Sequence, residues 1–120
     1  MIAMKVVAKN RRARFDYDIT STMVAGLSLR GPEVKSAKLG HVSLKGSFIN
    51  IQGGEAWLSG AHFTPYAPAA GLQLDPDRRR KLLVHAAELN ELITAKQNGL
   101  QVVPLAMGIE RGLIKLEVGV

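Results

Sequence analysis

Three histidines, ten carboxylates and no cysteine bound the chemistry this sequence can carry. Without a thiol there is no disulfide framework, no thiolate nucleophile and no sulfur-ligated metal. His41, His62 and His85 stand far apart, and none has a second histidine at the i, i+4 spacing that sets two imidazoles on one helical face. Each reads as a surface, capping or RNA-contact residue rather than a metal ligand. Neither a GxxxxGK phosphate loop nor a GxSxG nucleophile elbow occurs. Glu88 and Glu91 sit one helical turn apart, but acid–base work needs a pocket that separates the two pKa values. On a helix such a pair reads as a solvated face. Nothing in these residue types and spacings points toward catalysis or a bound metal.

Cationic charge is what the chain carries in quantity. Lys and Arg number 16 against 10 Asp and Glu, giving a formal net charge of +6 and a pI near 10.0. In a small folded domain this is the electrostatic footprint of a nucleic-acid binder, the alternative being ordinary solubility charge. Distribution favours the former. Lys9, Arg11, Arg12 and Arg14 cluster near the N-terminus, and Arg78, Arg79, Arg80 and Lys81 run unbroken. Lys35, Lys38 and Lys45 lie between these clusters, and only Asp16, Asp18, Asp75 and Asp77 lie close enough in sequence to offset them. Arginine takes phosphate in a bidentate fork, and lysine takes it as a point charge. Rings are scarce: Phe15, Tyr17, Phe48, Trp57, Phe63 and Tyr66 make up 5% of the chain. Most sit in apolar strand patterns, so core packing is expected of each. A basic, ring-poor surface suits a structured nucleic acid held by backbone and shape better than single strands stacked on exposed rings.

These side chains must be positioned by a small fold. With 120 residues and 47% hydrophobic content, a single domain over residues 1–120 is expected. No apolar run approaches the roughly 20 residues of a membrane span, and residues 1–5 lack the core of a signal peptide. A soluble cytoplasmic protein without membrane contact is the expectation. Residues 15–19 alternate apolar and polar, as in a half-buried strand that continues through 20–24 and bends near Gly26 before 27–29. Gly31-Pro32-Glu33 predicts a short helix to about Leu39, stopped by Gly40. Residues 47–51 and 55–58 read as a hairpin about Gln52-Gly53-Gly54. Residues 64–80, with Pro65, Pro68, Gly71 and Pro76, read as a long surface loop. Leu82-Leu83-Val84 then leads into a helix carrying Leu89, Leu92 and Ile93 that ends at Asn98-Gly99. Two strands, 100–107 and 113–118, follow around residues 108–112. About six short antiparallel strands with two or three flanking helices predict a mainly β fold, a small closed barrel without exposed edges.

Four strings in this sequence carry a resemblance. Asn10-Arg11-Arg12-Ala13-Arg14-Phe15-Asp16-Tyr17, Gly31-Pro32-Glu33-Val34-Lys35-Ser36, Asp75-Pro76 through Arg80-Lys81-Leu82-Leu83-Val84-His85, and Val102-Val103-Pro104-Leu105 occur in this order. In order and spacing they resemble the SsrA-binding protein family, the small protein B of bacterial trans-translation, over about residues 5 to 119. The resemblance implies an oligonucleotide-binding-like β-barrel that binds the tRNA-like domain of transfer-messenger RNA. It implies delivery of that RNA to stalled bacterial ribosomes, with one protein monomer per RNA, no catalysis and no cofactor.

The strings coincide with the basic clusters, so the candidate RNA-binding residues are Asn10, Arg11, Arg12, Arg14, Glu33, Lys35, Ser36, Lys38, Arg80, Lys81 and His85. Arg80 and Lys81 are expected on phosphates. Glu33 is the oddity, since a carboxylate repels phosphate. It orients basic neighbours, accepts from a nucleobase, or is only a helix-terminus charge. His85 caps its helix or contacts RNA. Ala37, Leu39, Ala86 and Ala87 depart from the family's larger or charged residues. The family's basic extension after the last strand is not in this sequence, which runs to Val120. By that comparison RNA binding is expected to survive, and tagging on the ribosome is what the difference puts in question. A general RNA-binding barrel and a small enzyme acting on an oligonucleotide-like substrate are the alternatives.

Overall fold

The computed structural model of the chain describes residues 4–66 and 75–120, and of residues 14–16 the backbone only. Its elements are β1 (Lys5–Lys9), α1 (Arg11–Asp16), β2 (Thr22–Leu27), α2 (Gly31–Lys38), β3 (Val42–Ser43) and β4 (Phe48–Gln52). These are followed by β5 (Glu55–Ser59), β6 (His62–Phe63), β7 (Arg80–Leu83), α3 (Ala86–Gln97), β8 (Val103–Glu110) and β9 (Leu113–Gly119). Seven strands form one antiparallel sheet in the order β1-β8-β9-β2-β7-β5-β4, and β3 pairs with β6 separately. Two hairpins fix its register. Gly53 and Gly54 (φ 62° and 74°) join β4 to β5, and Arg111 and Gly112 (φ 51° and 78°) join β8 to β9. Two successive residues at positive φ make the turn whose twist matches that of the flanking strands.

The main core gathers Leu27, Leu44, Ile49, Leu58, Phe63, Leu82, Leu92, Met107, Leu116 and Val118. A smaller cluster of Ala13, Val103 and Leu105, with Ile19 against it, lies beneath α1. β8 therefore contributes to both clusters. This is why its sequence reads as a continuous apolar run rather than an alternation.

The helix over 31–39 and its stop at Gly40 (φ 76°), the 48–59 hairpin and the helix ending at Asn98-Gly99 stand where the sequence places them. Other expectations need correction. Residues 15 and 16 belong to a helix, not a strand. The Asn10 N–H donates to the Leu105 carbonyl at 2.8 Å and its side-chain amide to the Pro104 carbonyl at 2.9 Å. With the chain pinned there, one turn of helix buries Ala13, and that packing overrides the local alternation. Residues 80–83 are not a loop end and joint but strand β7, paired on one side with β2 and on the other with β5. The expected turn over 108–112 shrinks to Arg111-Gly112, because β8 continues through Glu110. Residues 67–74 of the expected 64–80 loop lie outside the described residues.

The described strands number nine rather than about six. Closure is also corrected. Among the described residues β1 and β4 are the edges of the sheet and do not pair with each other. The architecture shown is a mainly β antiparallel sheet with three helices. Among the described residues no helix is long and apolar enough to cross a membrane.

Candidate nucleic-acid interface

β7 sorts the basic run. Side chains alternate across a strand, so Arg80 and Leu82 turn inward while Lys81 and Leu83 turn outward; just before the strand, Arg78 also reaches Glu33 and Arg79 is exposed. Inward, the run meets Glu33 in the first turn of α2, which is only 4% exposed. Its Oε1 accepts the Arg30 backbone N–H at 2.8 Å and Arg78 Nη2 at 2.5 Å. Its Oε2 accepts Arg78 Nε at 3.0 Å and Arg80 Nε at 2.9 Å. Arg80 is wholly buried; it also donates to the Ala61 and Pro76 carbonyls, and its guanidinium lies 4.0 Å over the Phe63 ring. Burial alone would raise the Glu33 pKa. The hydrogen bonds from Arg78, the Arg30 N–H and Arg80 outweigh it, and the carboxyl titrates below its ordinary value. Burial lowers the pKa of Arg80, and the contacts with Glu33 counter this in part.

Three expected RNA contacts are corrected by this geometry. Arg80 presents no surface to a phosphate, because its strand register turns it into the core. Glu33 orients its basic neighbours, one of the roles foreseen for it, and is closed to a nucleobase. Ser36 is buried on the inner side of α2, where its hydroxyl donates to the Thr64 carbonyl at 2.6 Å.

Outward, a groove runs along the sheet face, lined among others by Val24, Gly26, Lys81, Leu83, His85 and Lys115. Gly26 pairs with Leu83 on one side and Lys115 on the other, so its missing side chain forms the floor of the groove. Lys81 sits 3.3 Å from Glu55, both about two-fifths exposed. His85 is the exposed residue preceding α3. Glu88 accepts its backbone N–H at 3.0 Å. Leu83 is 53% exposed, a large apolar side chain in a groove that also holds Lys81, Lys115, Glu55 and Glu88.

A second groove gathers Asn10, Arg12, Tyr17, Phe48, Lys96 and Gln101, with the Tyr17 and Phe48 rings exposed. Arg11 and Arg12 are exposed on α1, and the Arg14 side chain lies outside the described residues. Lys35 and Lys38 are exposed in the last turn of α2. The candidates thus fall into separate places, not one patch. Sequence reasoning missed Lys115, Lys96 and the outward ring of Trp57. The last had a signal, since Trp57 stands between Ala56 and Leu58, both of which are buried. Among the described residues no group of three or more His, Asp or Glu could hold a metal ion.

The model of the family described as SmpB protein matches residues 7–120. The chain belongs to the SmpB family. It is 47% identical over 120 residues to an SsrA-binding protein of Coprothermobacter proteolyticus, covering 98% of this chain and 80% of the relative. It is 46% identical over 117 residues to an SsrA-binding protein of Acetivibrio thermocellus, covering 97% of this chain and 76% of the relative. A solved structure described as "tmRNA-SmpB: a journey to the center of the bacterial ribosome" holds a similar chain. That chain is 43% identical with a TM-score of 0.74, and the match covers 92% of this chain and 79% of the other.

Proposed function

We infer that this SmpB-family chain is a non-catalytic RNA-binding protein of trans-translation. It binds the tRNA-like domain of transfer-messenger RNA and helps deliver that RNA to stalled bacterial ribosomes for rescue and tagging of incomplete proteins. Relatives at 46–47% identity are SsrA-binding proteins, and a similar chain belongs to a solved tmRNA-SmpB assembly. The observation that carries the reading onto this molecule is the groove over Gly26, where Lys81, His85 and Lys115 flank an open floor. Lysines there supply the sequence-independent attraction to phosphate, and the apolar Leu83 supplies contact to ribose or base.

In this reading Lys81 and His85 touch the RNA at that groove. Asn10, Arg11, Arg12 and Arg14 serve the second groove or its rim, and Lys35 and Lys38 steer the approach. Glu33, Ser36 and Arg80 are framework. Residues 1–120 act as one domain, cytoplasmic and monomeric on each RNA. The curled sheet is a variant of the oligonucleotide-binding barrel. Packing of β4 against β8 and of β3 against β1 supports that view.

The test is competition. Labelled tRNA-like domain bound to the chain should resist an excess of bulk tRNA. With about 4–6 phosphates neutralised, log K should fall against log salt with a slope of about −4 to −5. Equal competition by bulk tRNA would leave a general RNA binder, and affinity independent of salt would end the reading.

A further inference from the structure

We propose that Arg79, held flat on the indole of Trp57, is an additional phosphate-gripping residue, extending the RNA-binding face from β7 across β5 to the end of β4. This rests on the RNA-binding reading above and adds a contact that is not among the candidate RNA-binding residues drawn from the four strings. The Arg79 guanidinium carbon lies 4.0 Å from the centroid of the Trp57 ring. The Gln52 side-chain oxygen accepts from Arg79 Nη1, and the Gln52 backbone carbonyl accepts the indole N–H at 3.2 Å. One residue at the end of β4 therefore fixes both the ring and the cation lying on it. Trp57 pairs with Lys81 across the β5–β7 ladder, so indole and ammonium emerge on the same side of the sheet.

The neighbouring charges are already matched. Arg78 and Arg80 share Glu33, and Lys81 faces Glu55. Among the described residues Arg79 alone of residues 78–81 has no carboxylate partner, and it is exposed. A guanidinium with one N–H on Gln52 and set over an indole keeps its remaining donors for an oxyanion that offers two accepting oxygens. In RNA that group is the phosphodiester. Because the stack immobilises the long side chain beforehand, little conformational freedom is lost on contact.

Trp57 is the single tryptophan of the chain, so its emission reads this spot alone. The full-length chain is titrated with dye-labelled tRNA-like-domain RNA. Dye anisotropy reports binding anywhere on the protein, and indole emission reports the Trp57–Arg79 stack. The expected result is a change in Trp57 emission that saturates with the same midpoint as the anisotropy. Arg79→Ala is expected to weaken binding about tenfold and to make the salt slope shallower by about 1, with an unchanged urea midpoint. Arg79→Lys, which keeps the charge and loses the fork, should fall between the two. Wild-type binding by anisotropy with silent Trp57 emission, or an Arg79→Ala chain that binds like wild type, overturns this inference and leaves the RNA reading intact. Wild-type anisotropy that never moves overturns both.

Discussion

Replacing Glu33 by Gln removes one negative charge from a place where two guanidinium groups converge. The carboxylate accepts from the Arg30 N–H and Arg78 Nη2 on Oε1, and from Arg78 Nε and Arg80 Nε on Oε2. A glutamine has one oxygen for these two sides. Turned one way, its NH2 faces Arg78 Nε and Arg80 Nε; turned the other, it faces the Arg30 N–H and Arg78 Nη2. Either way donors meet donors, and Arg80, with none of its surface exposed, keeps its charge in the core. Breaking a buried ion pair by removing one partner costs about 3–5 kcal/mol. That is a large share of the ~5–15 kcal/mol that holds a domain together. With a urea slope of about 2 kcal/mol/M, the midpoint should drop by about 2 M, read by far-UV circular dichroism. A drop of less than about 0.3 M would refute the account of Glu33 as the organiser of this core. Pairing Glu33→Leu with Arg80→Met should recover part of the loss, since apolar replacements leave no charge to strand. The pH dependence has a definite sign. The folded pKa of Glu33 lies below its ordinary 4.5, so its contribution is present above that value and is lost as pH falls through the lower, folded value. Glu33→Gln should remove this part of the acid sensitivity.

Lys115 lines the groove without entering the core, so Lys115→Ala should leave stability within about 0.5 kcal/mol and make the salt slope of RNA binding shallower by about 1. An unchanged slope would take Lys115 out of the interface. Gly108→Ala should destabilise by about 1–3 kcal/mol and speed amide exchange in β1, because the new Cβ would sit 2.8 Å from the Lys5 carbonyl oxygen. Gly31→Ala, where nothing lies within 4 Å, is its control and should be close to neutral. Leu92→Ala, at a position with no exposure, should cost about 2–5 kcal/mol in urea unfolding, and a cost below 1 kcal/mol would mean that α3 is not packed on the sheet as described.

Signals that act through neighbours along the chain are legible in the sequence itself. Pro32 and Gly40 bracket α2, Gly53-Gly54 turns β4 into β5, and Asn98-Gly99 stops α3, each through a backbone preference of one or two residues. The features that sequence reasoning misplaces depend on distant partners. Ala13 is helical because Val103 and Leu105 lie beneath it some ninety residues away, and nothing in residues 11–19 encodes that. The paired strands β3 and β6 are two residues each, too short for any period to show. At the candidate site the type of residue is legible and its direction is not. Lys81 and His85 lie on the groove, while Arg80 and Ser36 face inward. The phase of β7 has meaning only if residues 80–83 are a strand, and their pairing with β2 and β5 is what makes them one.

That phase also explains why a basic protein keeps a buried carboxylate beside its longest basic run. Arg80 and Lys81 open β7 and cannot both face outward; one of the two must enter the core or distort the ladder. Glu33 makes the inward positions tolerable, and in doing so it ties α2 to β7. Arg80 then reaches the Ala61 and Pro76 carbonyls, which fixes the segments on either side of residues 67–74 to the same point. Arg79 and Lys81, its immediate neighbours, inherit that rigidity on the opposite face. The buried triad thus reaches RNA without touching it. Its Arg80 is buried and its Arg78 is held on Glu33, yet it sets the register in which Arg79 lies on Trp57 and Lys81 stands beside the groove. Loss of Glu33 should accordingly disturb RNA affinity and folding together, whereas loss of Arg79 should disturb affinity alone.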